Sequence, residues 1–162
     1  MADLVDTSRV QRRRLRFESL AELGAEIDRI VQAEQAGRLR RAGNWTTGQI
    51  FGHLAAWINY AYEGYPLKVP FFIRWILRFK VRQYLRDGMP AGRRIPNVAA
   101  GTYGVKPLGT REGEEKLRAA LARLACDEPP RFDSPAFGRL SNDDRIALNL
   151  RHAELHLGFL EY

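Results

Sequence analysis

Apolar residues recur at helical spacing along most of the chain. Leu20, Leu23, Ile27, Ile30 and Val31 share one helical face. Ser19 with Glu22 ahead of them has the form of a capping box, and Gly37 supplies a stop. A second box, Thr46 with Gln49, opens a helix that carries Ile50, His53, Leu54, Trp57, Ile58 and Ala61 on one side. Gly64 and Pro66 close it. A third helix is predicted from Pro70 through FFIRWILRFKVRQYLRDG. On it Arg74, Arg78, Arg82 and Arg86 drift around one third of the circumference, and most of the remainder is apolar. That face is wider than a surface helix needs, so the helix is expected to sit between two partners, a second subunit among them; a membrane surface is the alternative.

Thr110 is the expected cap of a fourth helix, with Glu112, Glu114 and Glu115 near its positive end and Leu117, Leu121 and Leu124 as its seam. Ser141 with Asp144 opens the last helix, which runs almost to the C-terminus with Asn149, His152, His156 and Phe159 along one stripe. Two Gly/Pro-rich loops, 87–109 and 127–139, separate these elements. The first is long for a compact domain, and loops of that length are often functional. Its Gly101-Thr-Tyr-Gly104 is no phosphate-binding fingerprint, lacking both the spacing and the flanking strand. No strand alternation of useful length and no internal repeat is present. The expectation is one all-α domain over 1–162, with a basic, flexible segment at 1–15.

Composition narrows the classes. With 45% hydrophobic and 28% charged residues, a core is affordable and disorder is excluded. No apolar run reaches the roughly 20 residues of a membrane span. The N-terminal basic cluster is followed by no hydrophobic stretch, so it does not read as a secretory signal. The lone Cys126 has no internal disulfide partner and reads as small buried filler; a cytoplasmic location follows as the expectation. The formal charge of +7 comes mostly from arginine. It leaves a basic nucleic-acid or anionic-surface module open as an alternative, although no helix-turn-helix, zinc-finger or RNP pattern supports one.

Histidine changes the picture most. The chain has three: His53, His152 and His156. The last two form HxxxH, one turn apart on one helix face, and two such imidazoles can chelate a divalent ion. His53 lies on an apolar stripe, where a lone histidine is usually a core residue with a satisfied hydrogen bond. Taken together, three buried imidazoles are costly unless each has a partner, and one metal satisfies all three. Gln49, Trp57 and Tyr60 share the His53 stripe, and Asn149 precedes His152 by a turn. Each is a candidate to orient an imidazole or touch a substrate, and each is also an ordinary helix-packing residue. The row Arg74, Arg78, Arg82 is a candidate for a carboxylate-bearing ligand if it faces the site mouth.

The stretches GNWTTGQIFGHLAAWINYAYEGYP, GMPAG and SPAFGRLSNDDRIALNLRHAELHLGFLEY resemble an uncharacterised family within the DinB/YfiT-like superfamily. The resemblance runs from Leu15 to the end, about nine-tenths of the chain. It implies a four-helix bundle of up-down-down-up course, often dimeric, with an extra short helix or long loop here. It also implies a metal, zinc or nickel, held by one histidine of the second helix and two of the last: His53, His152 and His156. Characterised relatives include transferases and isomerases that use low-molecular-weight thiols such as mycothiol or bacillithiol. The close family often carries a further histidine just before the final one, where this chain has Leu155. The implied activity is metal-dependent chemistry on a small molecule, as a thiol S-transferase or a hydrolase. The competing reading is a non-catalytic metal-binding or stress-associated bundle, with no water-accessible cleft at the metal. No catalytic residue beyond the ligands is assigned.

Overall fold

The computed structural model describes residues 5–96, 98, 101–126 and 128–162. The parts of the expected loops at 97, 99, 100 and 127, and of the N-terminal segment at 1–4, lie outside the described residues. The chain is mostly helical: α1 (Leu20–Gln35), α2 (Thr47–Glu63), α3 (Phe71–Leu77), α4 (Lys80–Asp87), α5 (Thr110–Ala125) and α6 (Asn142–Leu157). Two short strands, β1 (Arg40–Arg41) and β2 (Leu160–Glu161), pair antiparallel, with Arg40 opposite Glu161. No alternation marks these dipeptides, so the sequence pattern does not show them. None of the described helices is long and apolar enough to cross a membrane.

Helix entries follow the capping chemistry. The Thr46 hydroxyl accepts from Gln49 N–H, and the Gln49 side chain accepts from Thr46 N–H, so this box is complete. At α1 the box is half formed. Ser19 accepts from Glu22 N–H, but the Glu22 carboxylate reaches one residue further back, to Glu18 N–H. Ser141 caps α6 through Asp144 N–H. Thr110 is not the cap of α5: it is the first helical residue, and Gly109 stands before it with no side-chain cap.

The core draws Leu23, Ile27 and Ile30 from α1, Ile50, Leu54 and Ile58 from α2, Leu117, Leu121 and Leu124 from α5, and Leu150, Ala153 and Leu157 from α6. These four helices share one apolar interior. The most extensive packing is α2 against α5, and it depends on glycine. A Cβ at Gly113 would lie 2.6 Å from the Gly48 carbonyl oxygen and 3.0 Å from Gly48 Cα. Backbone cannot yield as a side-chain tip can. Gly113→Ala is expected to cost roughly 1–3 kcal/mol through overpacking. Gly24→Ala on α1, where an added Cβ meets nothing within 4 Å, should instead stabilise by up to about 1 kcal/mol through helix propensity. Urea midpoints of the two variants should move in opposite directions; equal shifts would remove the close-approach explanation.

Charged groups fasten the ends of the chain to this core. Buried Glu26 accepts from Arg13, Arg29 and the Tyr162 hydroxyl. Arg13 N–H also donates to the Gly158 carbonyl. Buried Glu154 pairs with Arg151 at 3.1 Å and accepts from Phe17 N–H, while Arg151 donates to the Phe17 carbonyl. Residues 13–17 thus lie along the C-terminal half of α6.

Three expectations need correction. The third helix is two: at Phe79 the backbone N–H turns to the Ile76 carbonyl, three residues back, and the helix is interrupted between Leu77 and Lys80. Neither piece has a buried residue, so no core contact holds one continuous rod together. Its apolar side, Phe71, Phe72, Trp75, Ile76 and Phe79, is exposed. Cys126 is exposed rather than buried, because it falls just beyond the last turn of α5. And α6 ends at Leu157, so Phe159 belongs to the turn before β2 and not to the helical stripe.

Candidate metal centre

His53 comes from the apolar stripe of α2, and His152 and His156 from one face of α6. His53 and His152 bring their Nε2 atoms to 3.1 Å, and His152 and His156 do the same. One nitrogen from each ring lies within 4.8 Å of the others. His53 is buried and the other two are half-buried.

Proton accounting shows why this cluster suits a cation. The His53 Nδ1 stands 2.9 Å from the Tyr103 carbonyl oxygen. That oxygen can only accept, so Nδ1 carries the proton and His53 Nε2 is a bare lone pair. The contact from His53 to His152 then needs a proton on His152 Nε2. With that proton in place, His152 Nε2 has no lone pair left for His156. Neutral rings can therefore satisfy one of the two short contacts and not both. A cation between the three nitrogens satisfies all of them. Ligand bonds of 2.0–2.1 Å in tetrahedral geometry set nitrogens about 3.3 Å apart, close to the 3.1 Å of the two short pairs.

Electrostatics agrees with that donor set. Burial pushes the His53 imidazole down to about 4. His152 and His156 are also held well below the ordinary imidazole value, by burial first and then by the neighbouring rings. All three are neutral at pH 7, the form in which imidazole binds metal.

Aromatic rings fix the imidazoles in place. Trp45 stacks on His156, with centroids 5.0 Å apart and planes 14° from parallel, and lies 5.0 Å from the His53 ring. Trp57 meets His53 and His152 edge-on. Its indole N–H donates to the same Tyr103 carbonyl that holds His53. Tyr103 thus orients the site through its backbone, and it comes from the long loop 87–109. Side-chain chemistry gave no reason to single it out; the available signal was glycine close by, Gly101 two residues before it and Gly104 directly after. Gly104 has φ +79°, and a Cβ there would lie 2.8 Å from Ala56 Cβ and 3.7 Å from His53 Nδ1. Gly104→Ala should therefore push the Tyr103 carbonyl off His53. The expected loss of metal affinity is about 10–100-fold, the usual effect of removing a ligand's orienting partner. Competition with a chelator measures it, and unchanged affinity would remove the role given to this loop.

The remaining candidates divide. Trp57 lies beside the imidazoles, whereas Tyr60 packs edge-on against Trp57 and beside Tyr65, and burial raises its phenol above the ordinary value. The Gln49 side chain is engaged in the α2 cap, and the Asn149 amide donates to the Arg145 carbonyl. Both nevertheless border the cavity that reaches the histidines. The row Arg74, Arg78, Arg82 is exposed. It is Ile73 and Leu77, not these arginines, that α3 turns toward the cavity. The cavity measures about 1580 Å³ and is bordered by all three imidazoles. Common ligand pockets hold roughly 300–1,000 Å³, so a small molecule fits.

Fold and site together define a mostly helical protein with a three-histidine cluster that could hold a metal ion at the wall of a large cavity. The chain belongs to the family described as "Protein of unknown function (DUF1569)", which matches residues 9–162. No curated protein and no solved structure matches it.

Proposed function

We propose that this is a divalent-metal-dependent enzyme acting on a small molecule. In this reading 1–162 is a single DinB/YfiT-like domain, in which α1, α2, α5 and α6 form a four-helix bundle of up-down-down-up course. His53, His152 and His156 hold zinc or nickel. A low-molecular-weight thiol is the cosubstrate of an S-transfer reaction, with hydrolysis as the alternative. The protein works in the cytoplasm as a homodimer; the exposed apolar side of α3 supports a second copy.

The observation that carries the reading is the convergence of three neutral imidazole nitrogens, 3.1 Å apart in two pairs, at the wall of a cavity. A purely structural metal site needs no such opening, so the cavity favours catalysis over the non-catalytic alternative. When bound, the ion acts as a Lewis acid that lowers the pKa of a coordinated water or thiol toward neutrality. The chain's own groups do the rest. Tyr103 and the rings of Trp45 and Trp57 fix the imidazoles, so no reorganisation is needed when a ligand enters. Apolar side chains such as Ile73, Leu77 and Leu148 line part of the cavity and offer a surface for the non-reacting part of a small molecule. Elemental analysis of protein purified without a histidine tag tests the reading, with one divalent ion per chain as the expected result. Absence of uptake after incubation with zinc or nickel would refute it.

A further inference from the structure

The row that begins His156, His152, Asn149 on α6 continues one turn further, to Arg145, and all four border the same cavity. Arg145 is only 7% exposed, yet no carboxylate among the described residues pairs with it. Its Nη1 donates to the Tyr62 hydroxyl at 2.7 Å. Its Nη2 donates to the Asn142 side chain at 2.6 Å and to the Glu128 carbonyl at 3.4 Å. Every acceptor is neutral, and Nε is buried with no partner. Buried charges in proteins are paired, because an uncompensated one is costly. This one is held by neutral groups at the side of a cavity, with five N–H bonds for three acceptors, so that one Nη1 hydrogen is spare besides the enclosed Nε. Asp143 and Asp144 directly precede Arg145 on α6 without forming an ion pair to it, and Glu128, whose carbonyl it meets, commits its carboxylate to a two-pronged pair with Arg123. Tyr65 borders the same region, and its phenol, pushed up to about 12 by burial, remains a neutral hydrogen-bond donor.

We infer that Arg145 anchors an anion: the cavity takes a small molecule whose carboxylate meets the Arg145 guanidinium while its reactive end lies at the three imidazoles. This rests on the proposed function and adds the substrate class. Arg145 and His152 are two helical turns apart, about 10 Å along the axis. A ligand that spans them carries a carboxylate roughly six bonds from a metal-seeking group. Both Nη2 hydrogens and one Nη1 hydrogen are already donated and Nε has no exposed surface, so the carboxylate is met by the remaining Nη1 hydrogen and by the positive charge itself, a charge-assisted contact that an ammonium can also make. Leu148 lines the cavity between the two ends and calls for an apolar spacer there. The site therefore selects anionic amphiphiles rather than neutral or cationic molecules.

Calorimetric titration of the zinc-loaded protein with 6-mercaptohexanoate and with its neutral congener 6-mercaptohexan-1-ol tests the inference. The carboxylate form should bind at least about tenfold more tightly. The preference should vanish in Arg145→Gln and persist in Arg145→Lys, with zinc content unchanged in both. Equal affinity of the two thiols for the wild-type protein overturns the inference, and that comparison stands even if Arg145→Gln does not fold. A protein that takes up no zinc sinks the metal reading instead. Octanoate binding to the metal-free protein then decides the anion site alone: saturable binding supports it, and no binding overturns it.

Discussion

His152→Ala leaves the protein without a tightly held divalent ion, while the wild type carries one per chain. His152 is the informative position because its Nε2 is the shared atom, 3.1 Å from each of the other two. Removing it leaves His53 and His156 as two ligands with a gap between them. The loss of affinity should exceed the 10–100-fold expected when only an orienting partner is removed. Chelator competition and elemental analysis read it directly. Stability supplies a check against trivial unfolding. With free metal at a thousand times its dissociation constant, binding to the folded state alone contributes about 4 kcal/mol. Added metal should therefore raise the melting temperature of the wild type and leave that of His152→Ala unmoved. Without metal the two proteins should melt within a few degrees of each other, because the lost ring was one of three crowded donors with too few protons to share. A His152→Ala protein that retained a full equivalent of metal would remove the basis for the site.

The parts of this molecule that depend on local chemistry were legible in the chain. Thr46 with Gln49 has few physical meanings ahead of an apolar run, and it forms the complete box. The spacing of His152 and His156 puts both on one face wherever α6 lies. That His53 should meet them needed an added argument, the cost of burying three imidazoles separately. Features that arise from tertiary contact were hidden. Tyr103 contributes a carbonyl oxygen, which every residue possesses, so nothing in its identity marks it. Arg145 lies one turn before Asn149, but arginines are common here, and only burial without a carboxylate partner sets it apart. The break between Leu77 and Lys80 also escaped notice, since the sequence there continues in helix-forming residues. No residue of α3 or α4 is buried, and only α4 packs on α6, so the two pieces are not held to one axis by a shared core contact, and no breaking residue is needed. Cys126 illustrates the reverse error. It follows an apolar seam, but the helix ends beneath it and the inward direction is lost.

Acidification should destabilise the metal-free protein across a window set by its imidazoles. An unfolded histidine titrates near 6.5, whereas folded His53 is held at about 4 by burial. Between these values the unfolded chain takes up a proton that the folded one refuses, so the unfolded state is favoured as pH falls. The stability associated with a neutral His53 is intact above pH 6.5 and is lost by about pH 4. A displacement of roughly 2.5 units corresponds to about 3 kcal/mol. His152 and His156 are displaced in the same direction, so their contributions add to the loss. Glu154 works the other way. Burial raises its carboxyl, so the folded state binds that proton first and gains a little on acidification. Urea denaturation at intervals between pH 7.5 and 4.5, for the wild type and for His53→Gln, separates these effects. The variant keeps a polar side chain at position 53 but cannot titrate there, so its stability should fall less steeply by the His53 share. The same displacement governs the metal. Protons compete for a ligand only near its pKa in the metal-free folded state. Affinity should therefore stay nearly level through pH 6, where an exposed histidine site is already weakening, and collapse only as pH approaches 4. Metal release that tracked pH 6.5 instead would mean that the three rings are open to water when the ion is absent.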